Sequence, residues 1–230
     1  MAAGDERPSA TLISQVVGPW REPPGEDLSR ILALTDGVFA FAMTLLVVNL
    51  TGLGFLTCGT QGNPAACTEE YLLTNLSQSA TFFVGYATVF FVTAFYWTHH
   101  HRTFRYIERY DTLLLWANIV FLLLIAVQPF VLEVFNRFTD TTAGVTLFAA
   151  TSALLGLMLG GMWWHATGPA GLVDARLPSA VRVYYRRRGF IIPGIFLLTI
   201  PIAFVAPSVA SYVWIAIFPA GVLMRRYGGA

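Results

Sequence analysis

An arginine and an aspartate stand in the first turns of a long apolar segment, where ionisable side chains are costly. Arg30 and Asp36 belong to residues 30–50, which are long and apolar enough for a membrane-spanning helix. Ionisable groups in such a span usually face protein or water, and they often mark an ion or substrate path. Six residues apart, the two side chains point about 120° from each other on a helix, so they cannot pair with one another. Each therefore needs a partner on another helix, in another subunit or in water. The simpler alternative is that Asp36 caps the helix start, with Arg30 at the lipid headgroups.

A stripe of four side chains follows on the same segment. Phe41, Thr44, Leu45 and Val48 are spaced as neighbours on one helix face, and Arg30 falls close to the same direction. Polar partners for this helix are expected from the next two spans, and the candidates are Trp97, His100, His101 and Asn118. Such a buried network fixes helix positions only if every member is satisfied.

Composition points to a membrane protein. Apolar residues make up 56% of the chain and charged residues only 12%, against roughly 45–50% and about 25% in soluble domains. The net charge of +1 implies no general attraction to nucleic acid. The sequence contains no Gly-Lys-Ser/Thr phosphate loop, no Ser-His-Asp order and no His-Glu-x-x-His motif, so we do not expect an enzyme. The predicted fold class is all-α and polytopic.

Six spans fit the hydropathy. They lie near residues 30–50, 78–100, 111–132, 143–165, 189–206 and 208–224. The predicted organisation is a mobile cytoplasmic tail over residues 1–27, a six-span domain over 28–227 and a short tail over 228–230. Prolines make the boundaries of the last two spans the least defined. Gly156, Gly160 and Gly161 in the fourth span predict close helix packing, in preference to a pore role.

The arginines predict the orientation. All but one of the arginines fall on one side of a six-span topology, and Arg137 alone falls on the other. The positive-inside rule then places both termini in the cytoplasm of a multi-pass cell-membrane protein. The majority side holds Arg7, Arg21, Arg30, Arg102, Arg105, Arg109, Arg176, Arg182, Arg186, Arg187, Arg188, Arg225 and Arg226.

The cysteines and histidines offer no metal site. Cys58 and Cys67 share one loop on the non-cytoplasmic side, where an oxidising compartment permits a disulfide without requiring one. Two thiols alone are too few for zinc, which takes four ligands. His99, His100 and His101 are consecutive and therefore point in three directions on a helix, which favours hydrogen bonding over metal binding.

A family resemblance follows from these residues. The order Arg30-x-x-x-Leu34-Thr35-Asp36-Gly37 resembles the Arg-x-x-x-Phe-Ser-Asp-Gly signature of the transmembrane protein 175 family, with Leu34 for phenylalanine and Thr35 for serine. Both departures keep the chemical character of the side chain. The segment from Trp97 to His101, together with Asn118 and Pro129-Phe130, is similar to the family's second and third helices.

The resemblance implies a potassium-permeable channel. Bacterial members imply a homotetramer of six-span subunits, in which the first helices line a central pore with apolar constrictions. Phe41 falls where many members have the constricting isoleucine, and Thr44, Leu45 and Val48 fall on other pore-facing layers. The network that holds the pore helices is implied to comprise Arg30, Leu34, Thr35, Asp36, Gly37, Trp97, His100 and Asn118.

The expected partners are therefore other copies of the chain, membrane lipid and monovalent cations, with potassium as the permeant ion and no cofactor. Four phenyl rings at Phe41 would either close the pore by dewetting, rotate aside, or leave the gate to a neighbouring layer. The alternative function is a proton- or cation-coupled secondary transporter using Asp36 and a histidine, although no internal repeat of the kind common in transporters is evident.

Overall fold

The structure, a computed structural model, describes residues 26–51 and 67–216, and this part of the chain is helical apart from its connecting segments. A single pair of residues, Ile107 and Val173, forms an isolated β-bridge within it. The helices are α1 Glu26–Leu45, α2 Val48–Thr51, α3 Glu69–Gln78, α4 Ala80–Phe104, α5 Thr112–Arg137, α6 Thr142–Thr167, α7 Ser179–Val205 and α8 Pro207–Ala210, followed by a 3-10 segment, Ser211–Ala216.

Four helices are long and apolar enough to cross a bilayer: α1, α5, α6 and α7. A fifth span results if α3 and α4, which meet at 52°, are counted together as one bent element. The predicted sixth span, 208–224, lies partly outside the described residues, and its first part forms two short helical segments instead of one helix. The count of six spans per subunit therefore stays a prediction.

The helix boundaries differ from those of two predicted spans. The first span is not one helix over 30–50, because α1 ends at Leu45 and a separate turn of helix begins at Val48. The helix of the fifth span starts before its apolar part, because α7 begins at Ser179 and carries three consecutive arginines ahead of residue 189. Arginine is a good helix former, so a helix can continue past the bilayer where the hydropathy falls.

The α5–α6 hairpin is fixed at both helix starts by side-chain caps. The Leu114 N–H donates to Asp111 Oδ1 at 2.8 Å, and the Gly144 N–H donates to Thr141 Oγ1 at 3.1 Å. Each bond satisfies one of the backbone N–H groups that lack a partner in the first turn of a helix. α6 is the most enclosed of the four spans, because α5 and α7 pack on either side of it.

Small residues allow α6 and α7 to approach closely. A Cβ built on Gly156 would lie 2.7 Å from Pro193 Cδ, and one on Gly160 would lie 3.1 Å from Phe190 Cζ. Gly161, by contrast, has no atom within 4 Å of its Cβ position. The packing role expected for these glycines therefore holds for Gly156 and Gly160 but not for Gly161.

The two arginine-rich loops lie together at one end of the bundle. Ile107 pairs with Val173, and the Glu108 N–H donates to the Leu172 carbonyl at 2.9 Å. The α4–α5 and α6–α7 connections thus share one end, and the turn after Arg137 lies at the other. This arrangement is the alternation that the arginine distribution predicted for these two loops.

We predict that Gly156→Ala lowers the free energy of unfolding by about 1–3 kcal/mol, because the added methyl group has no room beside Pro193. Gly161→Ala is the matched control on the same helix, and it should be neutral or stabilising because alanine favours helix by about 1 kcal/mol over glycine. Thermal unfolding of both variants in detergent measures the difference. Equal stability of the two variants would contradict the close α6–α7 contact.

Candidate functional site

One stripe of α1 is buried against its neighbours. Thr35, Phe39 and Ala42 of α1, with Leu46 just after its end, recur at spacings of four, three and four, and none is more than 1% exposed. This is the periodicity of a helix that packs along a single face. The rest of α1 is largely open, so its position depends on this stripe and on the polar groups next to it.

Asn118 joins three helices at the centre of that contact. Its Nδ2 donates to Thr35 Oγ1 on α1 at 3.1 Å, and its Oδ1 lies 3.0 Å from His100 Nε2 on α4. Because an amide oxygen can only accept, His100 carries its hydrogen on Nε2 in this arrangement. All three side chains are buried. Thr35 completes the chain by donating its hydroxyl hydrogen to the Ile31 carbonyl at 2.9 Å.

Aromatic rings fix the orientation of His100. Its ring stacks on Phe104 with centroids 3.8 Å apart and lies nearly parallel to Phe121 at 5.7 Å. Phe39 of α1 contacts both Phe121 and His100, at 5.8 and 6.5 Å. The imidazole can therefore turn little, which keeps Nε2 directed at Asn118.

Asp36 accepts a hydrogen bond from a side chain of α4, and Arg30 is not its partner. Trp97 Nε1 donates to Asp36 Oδ1 at 2.8 Å, and the indole stacks on His101 at 5.4 Å. Since α1 begins at Glu26, Asp36 lies within the helix, and the alternative in which it caps the helix start is wrong. Arg30 is exposed and makes no hydrogen bond or ion pair with residues 26–51 or 67–216.

The predicted stripe lies on the open side of α1. Phe41 is 65% exposed and Val48 53%, Thr44 is exposed, and Leu45 is half-buried. The helix geometry changes within this stripe, because the Val47 N–H bonds to the Thr44 carbonyl three residues back at 3.3 Å. Phe41, Thr44 and Leu45 therefore share one helix, whereas Val48 belongs to the next turn of helix, α2.

The other predicted residues divide between the network and the open surface. Leu34 is 56% exposed, and Gly37 has open space around its Cβ position. Cys67 is disulfide-bonded, and Cys58 lies outside the described residues, so their predicted pairing stays a prediction. The structure thus brings Thr35, His100 and Asn118 into one chain of hydrogen bonds that joins α1, α5 and α4. Asp36 and Trp97 form a second contact, which joins α1 directly to α4.

The three consecutive histidines point as expected in different directions. His99 faces α7, where its ring meets Tyr185 edge-on at 6.2 Å, while His100 faces α5 and His101 lies on Trp97. Within the described part of the chain, no group of three His, Cys, Asp or Glu side chains is placed to hold a metal ion.

Sequence reasoning missed a polar pair at the arginine-rich end. His165 Nε2 lies 2.7 Å from Asp111 Oδ2 and ties the end of α6 to the start of α5. Burial alone would raise the pKa of Asp111, but the hydrogen bonds from the Leu114 N–H and His165, with the charge on His165, hold that pKa below its ordinary value. The N-cap position of Asp111 was the only signal in the sequence.

The described helices and this network define a multi-pass helical membrane protein whose first helix is anchored by buried polar contacts. Residues 30–129 match the family described as the endosomal/lysosomal potassium channel TMEM175. The resemblance predicted from the signature is thereby confirmed, and the family is one of ion channels and not of enzymes.

Bacterial relatives extend the match beyond this region. A potassium channel of Streptomyces collinus is 26% identical over 181 residues, covering 77% of this chain and 82% of the relative. A potassium channel of Chamaesiphon minutus is 23% identical over 202 residues, covering 85% and 90%. The crystal structure of a lysosomal potassium-selective channel TMEM175 homolog from Chamaesiphon minutus matches with a TM-score of 0.68 at 22% identity, over 90% of this chain and 100% of that one. That last likeness shows a common fold.

We predict that Asn118→Ala lowers the free energy of unfolding by about 1–3 kcal/mol, because it leaves both His100 Nε2 and Thr35 Oγ1 buried with a lost partner. Asn75→Ala is the control, since the Asn75 amide donates only to the Tyr71 carbonyl of its own helix. Unfolding of the purified protein followed by intrinsic fluorescence gives the comparison. The interhelical role fails if the two variants lose equal stability.

A second prediction concerns Asp111, whose lowered pKa means that its ionised form stabilises the fold. That stabilisation is present above the ordinary aspartate pKa and is lost as the pH falls through the lowered value. Asparagine caps helices about as well, so Asp111→Asn isolates the charge; we expect up to about 1 kcal/mol lost near pH 7 and a smaller loss at a pH below the ordinary aspartate pKa. Asp140→Asn on the opposite turn should change little at either pH. A loss at Asp111 that does not depend on pH would contradict the account.

Proposed function

We propose that this protein is a potassium-favouring cation channel that conducts passively through a central pore lined by α1. One observation carries the proposal: α1 is anchored by a single buried stripe, while Phe41 and Thr44 on the same helix stay exposed in the isolated chain. The relatives described as potassium channels support the choice of ion.

A pore of this kind requires more than one copy of the chain. A single subunit leaves Arg30 and Asp36 on an open face of a span, where contact between an ionisable side chain and lipid is costly. Assembly as a homotetramer with α1 at the centre would give these groups protein or water as neighbours. The carboxylate of Asp36 retains one oxygen beyond the Trp97 bond for such a contact.

The proposed constriction is the ring of Phe41 side chains. Apolar side chains around a narrow axis can gate a pore by excluding water, and phenyl groups fill more of that space than isoleucine would. The Thr44 hydroxyl donates to the Phe41 carbonyl at 2.8 Å, so it is already satisfied within its own helix. Leu45 and Val48 would add further apolar layers beyond this ring.

The proposed setting is the cell membrane, with six spans and both termini in the cytoplasm. The two loops that share one end of the bundle, together with the adjoining ends of α4 and α7, carry eight of the 14 arginines, which favours this end as the cytoplasmic one. Lipid and monovalent cations are the proposed partners, with no cofactor and no nucleic acid.

Reconstitution of the purified protein in planar bilayers tests the function. We expect unitary currents whose reversal potential follows the potassium gradient more closely than the sodium gradient. Slow, saturable flux that is coupled to a proton gradient, without unitary currents, would instead favour the secondary transporter. Mass measurement of the detergent-solubilised complex reports separately whether four copies assemble.

We predict that Phe41→Ala raises the basal potassium flux across liposome membranes several-fold, because it removes the bulkiest apolar group from the proposed constriction. Phe204→Ala is the control, since Phe204 is 71% exposed but lies on α7. The measurement is the rate of potassium efflux from liposomes loaded with potassium. Unchanged or lower flux in Phe41→Ala, with the same assembly state as the native protein, would contradict a gate at this residue.

A further inference from the structure

A narrow apolar groove of about 220 Å³ runs between α5 and α6 near the arginine-rich end. Gly161 and Ala117 line the groove with at most a methyl group, and Gly161 has no atom within 4 Å of its Cβ position. The groove is therefore open where a larger residue would fill it. Its walls include Leu113, Leu157 and Met158, and His165 lies at its end.

The groove is short enough to lie within one leaflet of a membrane. Its lining on α6 extends from Leu157 to His165, a rise of roughly 12 Å, which is shorter than half of a bilayer core of about 30 Å. Two exposed tryptophans are chain neighbours of lining residues: Trp116, 60% exposed, precedes Ala117, and Trp164, 54% exposed, precedes His165. Tryptophan prefers the membrane–water interface, so this end belongs at the level of the lipid headgroups.

The excess of arginine at that end favours an anionic ligand. Asp111 holds His165 in place, and both carboxylate oxygens of Asp111 are occupied, one by His165 and the other by the Leu114 N–H. Arg109 stands two residues before Asp111, and its guanidinium reaches the Gly171 carbonyl just beyond α6 at 3.5 Å. The two loops and helix starts at this end, residues 102–111 and 174–188, carry eight arginines against three carboxylates.

We propose that an anionic phospholipid occupies this groove, with one acyl chain along Gly161 and Leu157 and its phosphate beside His165 and Arg109. The match is one of shape and of charge. An acyl chain fits a narrow apolar groove that opens to the lipid-facing surface, and a phosphate is the counter-charge that the arginine-rich end lacks. The lipid would link α5 to α6 on the side of the bundle away from α7.

The test compares lipid retention in native mass spectrometry of the full protein, purified in detergent and titrated with dioleoylphosphatidylglycerol or dioleoylphosphatidylcholine. The native protein should retain phosphatidylglycerol in preference to phosphatidylcholine. Gly161→Leu fills the groove and should lose that lipid, whereas Gly194→Leu, at a similarly open glycine on α7, should keep it. Thermal unfolding of both leucine variants checks that each is folded.

The headgroup contact is tested by a second pair of variants. Arg109→Gln should reduce phosphatidylglycerol retention to the level of phosphatidylcholine, whereas Arg137→Gln at the opposite end of α5 should not. Equal retention of the two lipids by the native protein would overturn the proposal, as would equal retention by Gly161→Leu and Gly194→Leu. Loss of subunits from Gly161→Leu with unchanged lipid retention would also overturn it, because a second copy of the chain would then cover the groove.

Discussion

The amide of Asn118 is the contact on which the arrangement of the first helix depends. It is buried between three helices, with its nitrogen bonded to Thr35 and its oxygen bonded to His100. If the buried amide lost either partner, the fold would be destabilised by the full desolvation cost of the unsatisfied group. Few other arrangements of α1, α4 and α5 keep both hydrogen bonds. The stacked rings of Phe104 and Phe121 make the constraint stricter, because they leave His100 little freedom to turn.

The consequence of this anchor is a helix with two different faces. The buried stripe of Phe39, Ala42 and Leu46 continues the contact that Thr35 begins, and Asp36 is tied to Trp97 beside it. The face carrying Phe41 and Thr44 then turns away from its own subunit. In the proposed channel this face meets other copies of the chain and water, which connects the buried network to the proposed conduction path.

Much of this could be predicted from the sequence, because the signature places polar side chains inside apolar segments where they must find partners. Five members of the predicted network make side-chain hydrogen bonds in the structure, Thr35, Asp36, Trp97, His100 and Asn118, whereas Arg30, Leu34 and Gly37 lie on the exposed surface. Helical geometry excluded a bond between Arg30 and Asp36, but it could not choose between Trp97 and the neighbouring histidines as the partner of Asp36. That choice depends on how two helices cross, which is set by their whole contact surface.

Other features left little or no trace in the sequence. The change of helix geometry after Leu45 occurs among apolar residues with no proline or glycine, so hydropathy runs smoothly across it. The start of α7 was misjudged because consecutive arginines suggest a loop, although they are good helix formers. The bond between Asp111 and His165 joins residues 54 positions apart, and only the packing of α5 on α6 brings them together.

In the proposed channel, the open face of α1 lines the conduction path and the buried face does not. Cysteine substitution with potassium flux tests it directly, with the native chain and its own two cysteines as the baseline. A bulky, water-soluble thiol reagent should block flux through Thr44→Cys, which is on the open face, and leave Ala42→Cys, which is buried, unaffected. Block at Ala42→Cys without block at Thr44→Cys would contradict the claim.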